Sequence, residues 1–179
     1  MKTRNIILLL IMICFSMKYK SQTFNYSPGA NNPNHNIDKF IGNWIWKEGG
    51  NTFELIFKKE NISLPIQGNV RADALYGFHK YVSNNILIED STIYSNINYN
   101  AKKTTLLGYT LKDPNVLKGG ITHLSKNNKN VEFEINYIDS THIKLVKVQN
   151  YPGTKINIPG QIPYDSSISF PQNIILTKQ

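Results

Sequence analysis

The sequence predicts an all-β protein, a single antiparallel barrel of about eight to ten strands. Between residues 37 and 149, short segments rich in Ile, Val, Leu, Phe and Tyr alternate with clusters of Asn, Gly, Asp and Lys. Short strands separated by turn residues in this way are typical of β-sandwiches and barrels. No segment sustains the 3.6-residue period of an amphipathic helix, apart from one short turn at 37–41. We therefore place one β domain over residues 37–179.

The first 21 residues have the features of a secretory signal peptide. Lys2 and Arg4 precede an apolar run that is too short to span a membrane, and Ser21 offers a small residue at the cleavage site. We expect cleavage there and release to the periplasm or the medium, with an uncleaved membrane anchor as the alternative. Residues 22–36 are rich in Asn, Pro, Ser and Gly, which predicts a flexible lead.

Composition excludes several classes of chemistry. The chain carries a formal charge of +8, and four of its basic residues leave with the signal, so the mature charge falls to +4. Cys14, the only cysteine, leaves as well. Disulfides, thiol nucleophiles and cysteine metal ligands are thereby excluded from the mature protein. Arg71 is then the only arginine, and we expect no nucleic-acid partner, no metal and no cofactor.

Side-chain alternation tests the first predicted hairpin. Gly49-Gly50 suits a two-residue type I′ turn, in which both residues need a positive φ. This turn sets Trp46 opposite Phe53 and Trp44 opposite Leu55, so the large apolar side chains share one face. We predict that this face points into the barrel.

An Asn84-Asn85 turn predicts a second hairpin. It sets Lys80 opposite Glu89, an ordinary cross-strand charge pair, and His79 opposite Asp90. If Lys80 and Glu89 face solvent, His79 and Asp90 face the interior. The reverse facing, with His79 exposed, is the alternative.

A three-residue loop at 139–141 predicts a third hairpin. An odd loop length brings Phe133 and Tyr137 onto the same apolar face as the following strand. The same parity argument places His142 on the solvent face, and we predict the solvent face for His123 as well.

Residues Gly42 to Trp44 match the Gly-x-Trp signature of the lipocalin and wider calycin barrels, which the chain resembles here. In those families the Trp closes the barrel bottom beneath a basic side chain of the last strand, a position that Lys178 would take. The chain as a whole also resembles a family of small secreted bacterial proteins of unknown function, through Gly77–Tyr81 and the Leu-Thr-Lys end. The resemblance implies a lipocalin-like barrel and no known chemistry.

A ligand cavity inside the barrel is the candidate site. Such sites are mostly apolar with a few placed polar groups. The side chains predicted to line it or orient a small apolar ligand are Trp46, Phe53, Phe57, His79, Tyr81, Asp90, Phe133 and Tyr137. A packed core is the plainer interpretation of the same aromatic residues, because an eight-stranded barrel is just wide enough to be filled by side chains.

Two further motifs have structural explanations. Gly119-Gly120 lacks the Lys-Ser/Thr ending of a phosphate loop and predicts a bulge or a strand kink. Residues 151–170 hold most of the late prolines and glycines. They predict a long extended loop, a surface crossover in preference to a lid over the barrel mouth.

Three functions are compatible with this sequence. We expect a non-enzymatic protein that binds a small apolar ligand in the barrel. The alternative is an envelope-associated interaction protein whose filled barrel acts through its surface. The third is a secreted hydrolase that uses His79 and Asp90. The sequence has no Gly-x-Ser-x-Gly motif to support this third hypothesis.

Overall fold

Eight antiparallel strands close into a barrel in the computed structural model, which describes residues 27–153, 159–160 and 163–179. Around the barrel the order is β2-β3-β4-β6-β7-β8-β9-β10, and β10 pairs with β2 to close it. The strands are β1 (Asn31–Asn32), β2 (Gly42–Glu48), β3 (Asn51–Ser63), β4 (Arg71–Ser83), β5 (Ile86–Asp90), β6 (Leu106–Thr110), β7 (Val116–His123), β8 (Lys129–Tyr137), β9 (His142–Asn150) and β10 (Ile174–Lys178). The two strands outside the barrel, β1 and β5, both pair with β4. The all-β barrel prediction is confirmed.

Helical structure in the described ranges is limited to short 3₁₀ helices: His35–Phe40, Thr92–Tyr94, Tyr99–Ala101 and Leu124–Lys126. None of the described helices is long and apolar enough to cross a membrane. The predicted signal peptide, the start of the predicted lead and residues 154–158 and 161–162 lie outside the described residues. The rest of the lead contributes β1, where Arg71 N donates to Ala30 O at 2.8 Å.

The first hairpin has the predicted register, and the third has it from the turn to the pair of Ile135 and Leu145, beyond which a bulge shifts the register. Gly49 and Gly50 have φ of 53° and 79°, and Trp46 lies opposite Phe53. Across the third hairpin Tyr137 lies opposite Ile143. Parity was sufficient in both cases because a filled interior tolerates only one facing of a large apolar side chain.

The predicted register of the second hairpin is wrong. The register shifts between Tyr81 and Val82, so Lys80 pairs with Asp90 and Tyr81 pairs with Glu89. A bulge adds one unpaired residue and therefore exchanges the two faces of the strand beyond it. The carboxylate that turns inward is Glu89, while Asp90 faces outward beside Lys80, with Nζ and Oδ2 3.5 Å apart.

The bulge or kink predicted at Gly119-Gly120 is also wrong. Both glycines sit in unbroken registers with β6 and β8. A Cβ built on Gly120 would lie 2.7 Å from the Tyr151 hydroxyl. The missing side chain thus leaves room for the Tyr151 ring on the outside of the barrel.

One end of the barrel is closed by the 3₁₀ helix His35–Phe40 and by Trp44. Trp44 is fully buried, and its Nε1 donates to Phe40 O at 2.8 Å. Lys178 Nζ lies 5.0 Å from the centroid of the Trp44 ring. The calycin resemblance implied this contact, and Gly42 permits it, because a Cβ there would approach Lys178 Cε to 2.5 Å.

Replacing Lys178 with methionine should lower the free energy of unfolding by about 1 kcal/mol, since it removes the cation from the Trp44 ring and keeps most of the apolar stem. Lys178→Arg should cost less, because arginine keeps the charge over the ring. Urea denaturation followed by tryptophan fluorescence measures both. Equal urea midpoints for the two variants would show that the charge makes no contribution.

Candidate functional site

The barrel interior is filled at the position of the predicted ligand cavity. Phe53, Phe57 and Phe133 are buried in the core. The cavity among them measures about 10 Å³ and is lined by Phe53, Leu55, Leu106, Ile121, Phe133, Ile135, Leu145 and Val148. A void of this size holds at most about one water molecule. The packing therefore matches the plainer interpretation of these aromatic residues, a side-chain core.

The other predicted site residues are spread over different places. Trp46 and Tyr137 are partly buried against the core, and Tyr137 contacts Phe40 edge-on at the closed end. Asp90 lies outside the barrel, where its Oδ1 accepts from Thr92 N at 2.8 Å. Of the predicted set, His79, Tyr81 and Phe53 meet at the other end of the barrel, and Phe57 meets Phe133 in the core.

At that end, which we call the barrel mouth, two histidines flank one buried carboxylate. His123 Nδ1 lies 2.9 Å from Glu89 Oε1, and His79 Nε2 lies 3.5 Å from Glu89 Oε2. Ser125 N donates to Glu89 Oε2 at 3.1 Å. His79 and His123 are fully buried and Glu89 is 5% exposed. This cluster is the largest deviation from an apolar core.

Two hydroxyls fix the orientation of His79. Ser91 Oγ donates to His79 O at 2.9 Å, so the proton of the 2.8 Å contact between Ser91 Oγ and Thr105 Oγ1 belongs to Thr105. Thr105 Oγ1 is then free to accept from His79 Nδ1 at 2.8 Å. The other ring nitrogen therefore points at Glu89.

The histidines keep Glu89 ionised. Burial by itself would raise the pKa of the Glu89 carboxyl, but the His123 and His79 rings beside it outweigh burial and hold the pKa at about 2. An ionised carboxylate thus lies at the centre of the cluster at neutral pH. The His123 Nδ1 atom and the Ser125 backbone amide lie against it, as a buried charge requires.

The segment 163–170, which we call the strap, covers the barrel mouth. Ser169 donates to His123 Nε2 from both its backbone N (3.3 Å) and its Oγ (3.0 Å). Phe170 stacks on the His123 ring at a centroid distance of 4.1 Å and contacts Phe53 at 5.3 Å. Lys129 Nζ donates to Ser167 O at 2.6 Å. The strap belongs to residues 151–170, for which the sequence favoured a surface crossover over a lid. It therefore forms the lid, the less favoured alternative.

The chain of contacts from Ser169 through His123 to Glu89 has the order of nucleophile, base and acid in a serine hydrolase. In this structure the three contacts attach the strap to the barrel mouth. The His123 ring is fully buried beneath Phe170, and both donors of Ser169 converge on its Nε2. In a triad the base nitrogen accepts from the serine hydroxyl, whereas here the backbone N–H of Ser169 competes for the same nitrogen. The predicted His79–Asp90 pair does not form, and no metal-binding group of His, Cys, Asp or Glu occurs in the described part of the chain.

Sequence reasoning missed Glu89, His123 and Phe170. For His123 a signal existed, since Leu117, Gly119, Ile121 and His123 alternate along β7 and all four point inward. Continuing that parity to the end of the strand places His123 in the core, and the solvent-face prediction was wrong. Glu89 gave no signal, because the bulge that turns it inward is not visible in the sequence.

The outer side of β6 carries exposed apolar side chains. Leu107 and Tyr109 are 45% and 48% exposed, and Leu111, directly after the strand, is 65% exposed. Beside them lies a cleft of about 440 Å³ that Tyr151 also lines. Asp73 is the only charged residue lining this cleft, and it pairs with Lys59 at 2.9 Å. We call this surface the β6 face.

A family described as a family of unknown function, DUF6705, matches residues 1–179. The chain belongs to this family. No curated protein and no solved structure shows significant similarity to it. Membership of DUF6705 agrees with the resemblance to small proteins of unknown function and assigns no activity, so the function of this DUF6705 chain has to be argued from its own geometry.

Proposed function

We propose that the protein is exported and acts as a non-enzymatic interaction protein, in which the filled barrel is a scaffold and the partner binds outside it. The supporting observation is the internal cavity of about 10 Å³. Pockets for small molecules usually measure roughly 300–1,000 Å³. A small apolar ligand among Phe53, Phe57 and Phe133 would have to displace the core itself, and each large core side chain is worth roughly 3–5 kcal/mol.

The β6 face is the surface best suited to a protein partner. Leu107 and Tyr109 alternate along β6 and project to the same side, and Leu111 follows directly after the strand. Thr122 and Asn130 provide polar groups at the edge of the adjacent cleft. An apolar and aromatic centre with a polar rim is the usual composition of a protein–protein interface.

Native mass spectrometry of the protein from an exporting host tests the filled scaffold. We expect the native mass to equal the denatured mass, because the interior holds no space for a ligand. An additional mass that is lost on denaturation would overturn the proposal. It would return the function to a ligand held near Trp46, His79 and Tyr81.

Site-specific photo-crosslinking in the exporting cell tests the β6 face. A photoreactive residue in place of Tyr109 should give one discrete adduct. The control replaces Ile175, which is 51% exposed on β10. No adduct at either position, or the same adduct at both, would contradict binding through the β6 face.

A further inference from the structure

Strand β5 exposes three consecutive apolar side chains. Ile86, Leu87 and Ile88 are 65%, 56% and 38% exposed. Successive side chains of a strand point to opposite faces, so both faces of this hairpin tip are apolar. In the described part of the chain, β5 has β4 as its only strand neighbour. An exposed apolar edge of this kind is a template for pairing with another strand.

The turn geometry determines which backbone groups face the open edge. Asn84 and Asn85 have φ of 50° and 64°, as a two-residue type I′ turn requires. The residues that flank such a turn, Ser83 and Ile86, exchange hydrogen bonds with each other. Leu87 is the next residue along β5, so its N–H and C=O point away from β4. These two groups are available to a second strand.

We propose that two copies of this chain associate through β5, in antiparallel pairing about a two-fold axis at Leu87. Leu87 then lies opposite Leu87 of the partner subunit, and each donates its N–H to the other's carbonyl. A two-fold contact of this kind uses the same surface on both copies.

The β5 sequence is complementary to itself in this register. Ile86 lies beside Ile88 of the partner subunit, the residue that the bulge leaves without a partner on β4, so apolar side chains meet on both sides of the axis. The paired stretch ends at the Asn84-Asn85 turn, whose positive φ values take it out of strand geometry, and Glu89 is turned into the barrel mouth. The pairing therefore brings no like charges together, which would oppose it.

The size of the contact sets its strength. Three exposed residues on each side bury less than the roughly 1,000 Å² expected of a stable interface, so the dimer should be weak and dependent on concentration. Leu87 forms a hydrogen-bonded pair in this register, with the two Cα atoms about 5.5 Å apart. That separation lies within the range a disulfide spans.

A single cysteine at the two-fold axis tests the register. Leu87→Cys, made in the full chain with Cys14→Ser, is the only thiol present. Under mild oxidation it should form disulfide-linked dimers at least about tenfold faster than Ile175→Cys, a control on an exposed strand residue outside the contact. Equal rates for the two variants would overturn the proposed pairing.

Sedimentation of the chain without added cysteine tests association itself. We expect the mean mass to rise with concentration, and Leu87→Lys to abolish the rise because two lysines would meet at the axis. Ile138→Lys, at a residue that is 49% exposed and lies outside both β5 and the β6 face, should leave the rise unchanged. If the chain stays monomeric up to about 0.5 mM, the dissociation constant lies above that concentration and the proposal is overturned. Amide hydrogen exchange gives a second check. Exchange at β5 that slows only when a foreign protein is added, and not as the concentration of this chain rises, would also overturn the proposal. Circular dichroism confirms that each variant is folded.

Discussion

Alanine at position 119 is expected to prevent the barrel from closing. A Cβ on Gly119 would come closer than 3.0 Å to the carbonyl oxygen of Leu107 and to the Phe133 ring. The oxygen belongs to the adjacent strand and cannot move without breaking the β6–β7 ladder. We expect a loss of about 4 kcal/mol or more, a large part of the stability of a small domain.

Gly108→Ala is the matched control, because Gly108 lies directly opposite Gly119. The three atoms nearest to its Cβ would be side-chain atoms of Leu117, at 3.1–3.3 Å. A leucine side chain can shift, so the expected cost is about 1 kcal/mol. Urea denaturation followed by circular dichroism compares the two variants. Similar midpoints would mean that the strands separate easily at Gly119 and that the close approach is unimportant.

The sequence was sufficient for the parts of the fold that depend on local parity. Gly49-Gly50 fixed a turn of known length, and the alternation on either side of it then placed Trp44 and Trp46 without further information. The Trp44–Lys178 contact was also accessible, through the calycin resemblance. Both cases need only a short stretch of chain and one face that must be buried.

The barrel mouth depends on contacts between distant segments and was not accessible in this way. The Glu89 carboxylate meets His123 from a strand more than thirty residues away, and Phe170 comes from a later segment still. A single bulge at Tyr81–Val82 decides which of two adjacent carboxylates turns inward. Turn propensity does not encode that offset, since the Asn84-Asn85 turn fixes only the pairs nearest to it.

Removing the buried carboxylate should destabilise the protein strongly. Glu89→Ala leaves the buried rings of His79 and His123 without their carboxylate partner. We expect the free energy of unfolding to fall by about 3–5 kcal/mol. Asp90→Asn is the matched control at the adjacent carboxylate, whose partly exposed pair with Lys80 is worth less than about 1 kcal/mol. Thermal and urea unfolding measure both. A greater loss for Asp90→Asn would mean that Asp90, as the sequence predicted, is the inward carboxylate.

The ionisation of Glu89 should also determine how the free energy of unfolding falls at acid pH. The pKa of this carboxyl is about 2 in the folded protein, against a reference value of 4.5. A lowered pKa contributes stability above the reference value, and this contribution is lost as the pH falls from 4.5 towards 2. Glu89→Gln keeps the shape of the side chain and removes the charge. The unfolding free energies of wild type and Glu89→Gln should therefore differ most above pH 4.5 and converge near pH 2. A difference that stays constant over this range would show that the ionisation of Glu89 does not stabilise the barrel mouth.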